Sequence, residues 1–319
     1  MASDYPAPLV ISPRQLPHKQ TFIILHGRGS SAEKFGPTLA DSQFQLNSTT
    51  PSGESEETTT TTTLAATFPH ARFVFPTAAR RRATVYGRAY THQWFDNWKL
   101  DPPVTAREEL QAPGLRETVA YLHGLLRAET AQVPGGSRSV VLGGLSQGCA
   151  AALVTLLLWE SEPPLAAAFG MCGWLPYAAR LSEQVSQGVA AANDDKRDDD
   201  GDAFDPFERS DGEDEGECDP PTRAVSWLRE EIQLERSSST RSEEEQNDPK
   251  LVFQRVPVFL GHGVEDDRVG VVLGRTASQC LRDLGCAEVE LKEYSGLGHW
   301  YSAEMLRDLV SWMKAKTGW

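Results

Sequence analysis

The pentapeptide Gly144-Leu145-Ser146-Gln147-Gly148 follows a short apolar run at 139–142 and opens a second one at 147–159. Between a strand and a helix, glycines at the first and fifth positions let the backbone turn sharply and lift the serine hydroxyl above a sheet. A serine hydroxyl is a weak nucleophile until a base takes its proton, so this reading requires a histidine and an orienting carboxylate further along the chain. Both occur, in the order serine, acid, histidine. The run 256–260 leads into Gly261-His262-Gly263-Val264-Glu265-Asp266-Asp267, and the run 289–294 leads into Gly296-Leu297-Gly298-His299-Trp300. His299 would act as general base and then general acid, while one acid of the earlier loop holds its ring. Spacing alone leaves Glu265, Asp266 and Asp267 as alternatives. His18, His26, His70, His92 and His123 all precede Ser146, the wrong order for this constellation. The competing reading of the pentapeptide by itself is a glycine-rich turn with an incidental serine.

Acyl transfer through a serine also needs backbone N–H donors for the tetrahedral oxyanion. Gln147 N–H, just after the nucleophile, is one candidate. Arg28 N–H is the second, in the glycine-rich stretch Leu25-His26-Gly27-Arg28-Gly29 that follows the first apolar run. Trp94, Phe95, Trp98, Trp174 and Trp300 lie near these motifs in sequence and are the expected pocket walls, against the alternative that they are core aromatics. The sequence has no GxGxxG, GxxxxGK[ST] or HExxH, so neither a nucleotide cofactor nor a catalytic metal is expected.

Positioning such groups at strand ends requires alternating strands and helices, and the hydrophobic pattern supplies them. Short β-branched runs at 21–25, 72–75, 139–142, 165–171, 256–260 and 289–294 predict strands. Helical spacing predicts helices over 113–131, 147–159, 273–284 and 302–315. This alternation is the signature of a mostly parallel sheet with helices on both faces. Two stretches interrupt it. Residues 47–63 are rich in Ser, Thr and Glu and include six consecutive threonines, which reads as a flexible loop. Residues 193–250 are acidic and polar around an apolar island at 224–234, whose Val225, Leu228 and Ile232 suggest a small helix.

Apolar residues make up 39% of the 319, so the chain has the material for a core. The formal net charge is −14, but 193–250 holds 21 acidic and 8 basic residues, and the remainder is close to neutral. A near-neutral body carrying an acidic segment lacks the basic footprint of a nucleic-acid-binding protein. The longest apolar run, 149–159, is far shorter than the roughly 20 residues of a membrane span, so no stable membrane insertion is expected. The five cysteines, Cys149, Cys172, Cys218, Cys280 and Cys286, are odd in number and lack metal-ligand spacing, which favours reduced thiols and a cytoplasmic protein.

The motifs Leu25-His26-Gly27-Arg28-Gly29, Phe75-Pro76-Thr77-Ala78, Gln93-Trp94-Phe95-Asp96, Gly143-Gly144-Leu145-Ser146-Gln147-Gly148, Gly173-Trp174-Leu175-Pro176, His262-Gly263-Val264-Glu265-Asp266 and Gly298-His299 occur in this order. Together they resemble the acyl-protein thioesterase family, also called the phospholipase/carboxylesterase family of α/β-hydrolases, and look most like its fungal members. The resemblance implies an α/β-hydrolase domain over 21–319 behind an N-terminal extension, 1–20, with inserts at about 47–63 and 193–250. It implies hydrolysis of carboxylic esters or thioesters through an acyl-enzyme on Ser146, with no cofactor. It selects Asp266 as the acid beside His299 and places an oxyanion donor at Arg28. An acylated protein is the expected substrate. A small-molecule carboxylesterase is the alternative, and a non-catalytic binding protein on the same fold is a more distant one. Asp267 stands where the family often has proline, and Arg28 stands where it usually has an apolar residue.

Overall fold

The computed structural model describes residues 4–48, 58–102, 105–194, 219–235 and 251–319. Its strands are β1 (Leu9–Ile11), β2 (Gln20–Leu25), β3 (Phe44–Ser48), β4 (Thr58–Thr62), β5 (Ala71–Phe75), β6 (Arg80–Ala83), β7 (Ala89–His92), β8 (Val140–Leu145), β9 (Ala167–Met171), β10 (Val258–Gly263) and β11 (Val289–Tyr294). The helices are α1 (Ala32–Ala40), α2 (Leu64–Thr67), α3 (Gln111–Thr130), α4 (Gln147–Leu157), α5 (Ala178–Asp194), α6 (Pro220–Glu231), α7 (Val271–Asp283) and α8 (Ala303–Thr317). Seven strands form the central sheet in the order β1-β5-β2-β8-β9-β10-β11. Only β1 runs antiparallel to its neighbour.

Burial on both faces explains why the inner strands read as unbroken apolar runs. In β2, Ile23 and Leu25 join a core under α3, α4 and α7, while Phe22 and Ile24 join the opposite core under α1, α2 and α8. Each fully buried Phe, Leu or Ile contributes about 1.5–3 kcal/mol of apolar burial, so the two layers hold the sheet from either side. Helix α4 is buried along its whole length, as its continuous apolar sequence requires. It can lie so close to the sheet because residue 148 is glycine: a Cβ there would stand 2.4 Å from the Leu25 carbonyl oxygen and 2.6 Å from that of His26.

Two segments depart from the expectations, and a third holds the helix expected in it. The extension 1–20 is not a separate appendage, because β1 pairs with β5 and the Tyr5 ring stacks on Tyr121 of α3 with centroids 4.0 Å apart; three strand residues between prolines are too few to show a period. The threonine run is not a loop in its entirety. Residues 58–62 form β4, antiparallel to β3 from Ser48↔Thr58 to Phe44↔Thr62, since β-branched threonine fits an extended backbone despite its low-complexity context. Thr63 then caps α2 by accepting a hydrogen bond from Ala66 N at 3.2 Å. Within the expected insert 193–250, the apolar island forms α6, which buries Val225 and Leu228, followed by buried Ile232. Residues 49–57, 195–218 and 236–250 lie outside the described residues.

Two glycines give opposite expectations. Gly148→Ala forces a Cβ onto backbone atoms and should lower stability by about 1–3 kcal/mol. Gly124→Ala, on the exposed side of α3 with nothing within 4 Å of the added carbon, should raise it by up to about 1 kcal/mol. Urea unfolding midpoints of the two variants check both signs.

Candidate active site

Ser146 sits between the end of β8 and the start of α4 with φ 57° and ψ −122°. That is an uncommon conformation for a residue with a side chain. The turn is held by Ser146 N donating to Met171 O at 2.8 Å. It also depends on Gly144, where a Cβ would come within 2.4 Å of the Gly148 backbone. From this position Ser146 Oγ lies 2.8 Å from His299 Nε2, and His299 Nδ1 lies 2.7 Å from Asp266 Oδ2.

Asp266 closes the chain of contacts at the C-terminal end of β10. Its Oδ1 accepts the backbone N–H groups of Arg268 and Val269, both at 2.9 Å. Its Oδ2 also lies 3.4 Å from His262 Nε2. Burial raises the carboxyl pKa, but the hydrogen bonds from His262, His299, Val269 and Arg268 outweigh it and hold the group well below the usual carboxylate range. Of the three consecutive acids, Asp266 is therefore the one that reaches His299. Glu265 turns away and accepts Gly296 N at 2.6 Å. His262, whose Nε2 lies 2.7 Å from Val269 O, braces the same loop. The loop passes so close to the one carrying His299 that a Cβ on Gly263 would fall 2.2 Å from Leu297 O.

The glycine-rich stretch after β2 comes over Ser146: a Cβ on Gly27 would lie 3.4 Å from its Cβ and 3.9 Å from its Oγ. Arg28 follows directly. His26 is buried beneath it, with Nδ1 2.7 Å from Gly27 O and Nε2 accepting Ala78 N at 3.0 Å. Desolvation lowers the His26 pKa to about 4, so the ring is neutral and its tautomer is set by these two partners. Gln147 begins α4, where its N–H has no intrahelical acceptor. Its side chain does a second job that the pentapeptide does not advertise. Oε1 accepts Trp94 N at 3.0 Å, and Nε2 donates to Phe95 O at 2.7 Å and to Asn97 Oδ1 at 3.0 Å. Trp94 Nε1 in turn donates to His26 O at 2.7 Å. Gln147, Trp94 and His26 thus tie the helix start, the segment after β7 and the Arg28 loop into one unit.

Ser146 and His299 open into a cleft of about 530 Å³ that Gly27, Arg28, Gln147, Trp174 and Trp300 also line. Trp94 and Phe95, expected as pocket walls, are not part of it. Both are fully buried in the core behind Gln147, whose side chain holds the Trp94 N–H and the Phe95 carbonyl. Trp98, expected with them, does line the cleft, together with Tyr86 and Lys99, on short turns and loops where no periodicity marks a residue's direction. Among the described residues, no group of three or more His, Cys, Asp or Glu side chains is arranged to hold a metal ion, and no helix is long and apolar enough to cross a membrane.

A hydroxyl, an imidazole and an ionised carboxylate in hydrogen-bonded series, beside a helix N-terminus, can carry out nucleophilic acyl transfer. Comparison with known proteins agrees with that chemistry. Residues 51–191 and 237–317 match the family model described as Phospholipase/Carboxylesterase. The chain is 22% identical over 313 residues to acyl-protein thioesterase 1 of Yarrowia lipolytica, covering 97% of each chain. It is 23% identical over 298 residues to carboxylesterase SOBER1 of Arabidopsis thaliana, covering 93% of this chain and 91% of that one. Its fold resembles the crystal structure of Zea mays acyl-protein thioesterase 2, with a TM-score of 0.59, 21% identity, and coverage of 98% of this chain and all of the other.

Burial of His26 and His123, each lowered to about 4, has a consequence for pH. The unfolded chain takes up protons near the ordinary imidazole value of 6.5, whereas the folded chain does not until about pH 4, so stability falls as pH drops through that window. The slope contributed is at most about 1.4 kcal/mol per pH unit for each histidine. His26→Gln should lower stability at pH 7 by about 1–3 kcal/mol and make the acid slope shallower. Urea midpoints between neutral and mildly acidic pH measure both effects.

Proposed function

The chain belongs to the phospholipase/carboxylesterase family and is a serine hydrolase of the thioesterase/carboxylesterase type; from that premise we propose that Ser146, His299 and Asp266 are its catalytic triad. The single observation that carries this assignment is the unbroken contact chain from Ser146 Oγ through both ring nitrogens of His299 to Asp266. Asp266 accepts a hydrogen bond from His299 Nδ1–H, which leaves Nε2 as the free base facing the serine hydroxyl.

In the acylation half, Ser146 Oγ forms a bond to the substrate carbonyl carbon as its proton moves to His299 Nε2. The carbonyl oxygen becomes an oxyanion, which the N–H groups of Gln147 and Arg28 receive. The intermediate collapses by breaking the bond to the leaving oxygen or sulfur, which takes the proton from His299 and departs as alcohol or thiol. In the second half, water gives a proton to His299 and attacks the acyl carbon. Collapse of that intermediate returns the proton to Ser146 Oγ and releases the carboxylic acid. Asp266 stays ionised throughout and stabilises the imidazolium that forms in each half. Water and the substrate complete the balance without a cofactor.

Among the relatives, names divide between acyl-protein thioesterase and carboxylesterase, so an acylated protein and a small ester are both candidate substrates. The cytoplasm is the compartment we assign. Cys149, Cys172, Cys280 and Cys286 are all free thiols, which suits a reducing environment, and burial pushes Cys172, Cys280 and Cys286 up to about 12, which keeps them protonated and unreactive.

The test is labelling by a fluorophosphonate, whose phosphorus bonds to an activated serine oxygen with loss of fluoride. Wild type should label, and Ser146→Ala should lose both the label and hydrolysis of p-nitrophenyl acetate, with kcat down by about a millionfold. Ser30→Ala and Ser31→Ala should keep the label. Labelling that survives in Ser146→Ala would refute the assignment.

A further inference from the structure

The cleft around Ser146 is charged in an uneven way. Three cationic side chains, Arg28, Lys99 and Arg268, line it against one carboxylate, Asp101. None of the three cations makes an ion pair among the described residues. The Nε of Arg28 is buried without a hydrogen-bond partner, and its guanidinium lies 5.8 Å from the centre of the Tyr86 ring. The guanidinium has the Tyr86 side chain as a hydrogen-bond partner, and Asp96, a carboxylate whose charge reaches it, is already engaged: Oδ1 accepts Thr84 N at 3.0 Å and Oδ2 accepts the Thr84 hydroxyl. A buried guanidinium nitrogen left unpaired is costly unless a ligand supplies the acceptor.

Each cation is carried by a segment that also builds the reaction centre. Arg28 lies in the loop over Ser146. Arg268 lies two residues after Asp266, and its own backbone N–H holds that carboxylate. Lys99 follows the segment gripped by Gln147. The basic character extends outwards along the β6–β7 hairpin, where Arg80, Arg82 and Arg88 are exposed and Val85 and Tyr86 at the tip reach into the cleft. Asp267, beside Arg268, is the exposed acid that opposes this field at the loop. In a chain with a net charge of −14, a cationic cleft with a basic rim concentrates anions at the nucleophile.

We propose that the enzyme selects esters or thioesters bearing a negative charge a few bonds from the scissile carbonyl, and that Arg28, Lys99 and Arg268 are the residues that read this charge. The proposal rests on Ser146 being the nucleophile. It concerns the Arg28 guanidinium and is separate from the part assigned to the Arg28 backbone N–H. The anionic group is a carboxylate or its equivalent, carried on either the acyl part or the leaving group, and the two positions call for separate probes.

The experiment compares kcat/KM within pairs of esters of similar size that differ in charge. For the acyl side, the pair is the p-nitrophenyl half-ester of adipic acid against p-nitrophenyl hexanoate. For the leaving-group side, it is p-acetoxybenzoate against its methyl ester. Wild type should favour the charged member of at least one pair by about tenfold or more, as a charge-assisted hydrogen bond allows. Arg28→Gln and Lys99→Gln should each reduce that ratio, and added sodium chloride should erode it. Reading ratios cancels any general loss of activity in a variant, and Lys99→Gln alters an exposed side chain, so folding is not at stake. Ratios near one in both pairs, or a preference that neither variant changes, overturn the inference. If the neutral ester is nonetheless cleaved in a Ser146-dependent manner, the hydrolase assignment survives that result. If neither member of either pair is cleaved, both fail together.

Discussion

The turn at Ser146 forces a residue with a side chain into a left-handed backbone conformation, a strain of about 1–3 kcal/mol that persists only where the surroundings over-determine it. Here they do. The strand before it and the helix after it are both fully buried, and Ser146 N is bonded to the neighbouring strand. Gly144 and Gly148 remove the two side chains that would collide with the turn or with β2. Relaxing Ser146 would require α4 to move out of the core. The rest of the site is arranged around this fixed hydroxyl: the Asp266 and His299 loops meet at Gly263, and the Arg28 loop crosses over at Gly27.

The same close packing accounts for what Gln147 does. A helix that starts against the sheet leaves its first residue facing the segment after β7, and a glutamine side chain offers both an acceptor and donors for that segment's backbone. His26, kept neutral by burial, supplies the matching acceptor and donor on the other side. These polar groups are fully enclosed yet paired, which makes them a frame for the backbone N–H groups beside Ser146 rather than a source of instability.

Much of this was legible in the chain. Strands β2, β8 and β10 were visible because burial on both faces leaves apolar runs, β11 at the sheet edge by the alternation of Val289, Leu291 and the charged residues between and after them, and Ser146 and His299 stood out because glycines lie beside them at strand ends. The choice among Glu265, Asp266 and Asp267 was not legible from spacing, since it depends on which carboxylate the N–H groups of Arg268 and Val269 capture. Trp94 and Phe95 misled for a related reason: an aromatic near a motif in sequence can equally well form the floor behind it, and Gln147's grip on their backbone turns them inward. Helix α1 was hidden because it contains Gly36 and Pro37. The glycine is required by contact, as a Cβ there would lie 2.7 Å from the Phe75 ring. The charge of the cleft was likewise invisible in a composition dominated by the acidic segment 193–250, because Arg28, Lys99 and Arg268 converge only through the fold.

The central claim is that Ser146 and His299 work as one unit through a single proton path. The direct measurement is a double-mutant cycle on ester hydrolysis with Ser146→Ala, His299→Ala and the two combined, each corrected for the buffer rate. Groups acting on one path lose almost everything with the first removal, so the double variant should be no slower than the slower single variant. Losses that multiply, with the double variant slower by the product of the two single effects, would mean that the serine and the histidine act independently and would contradict the account.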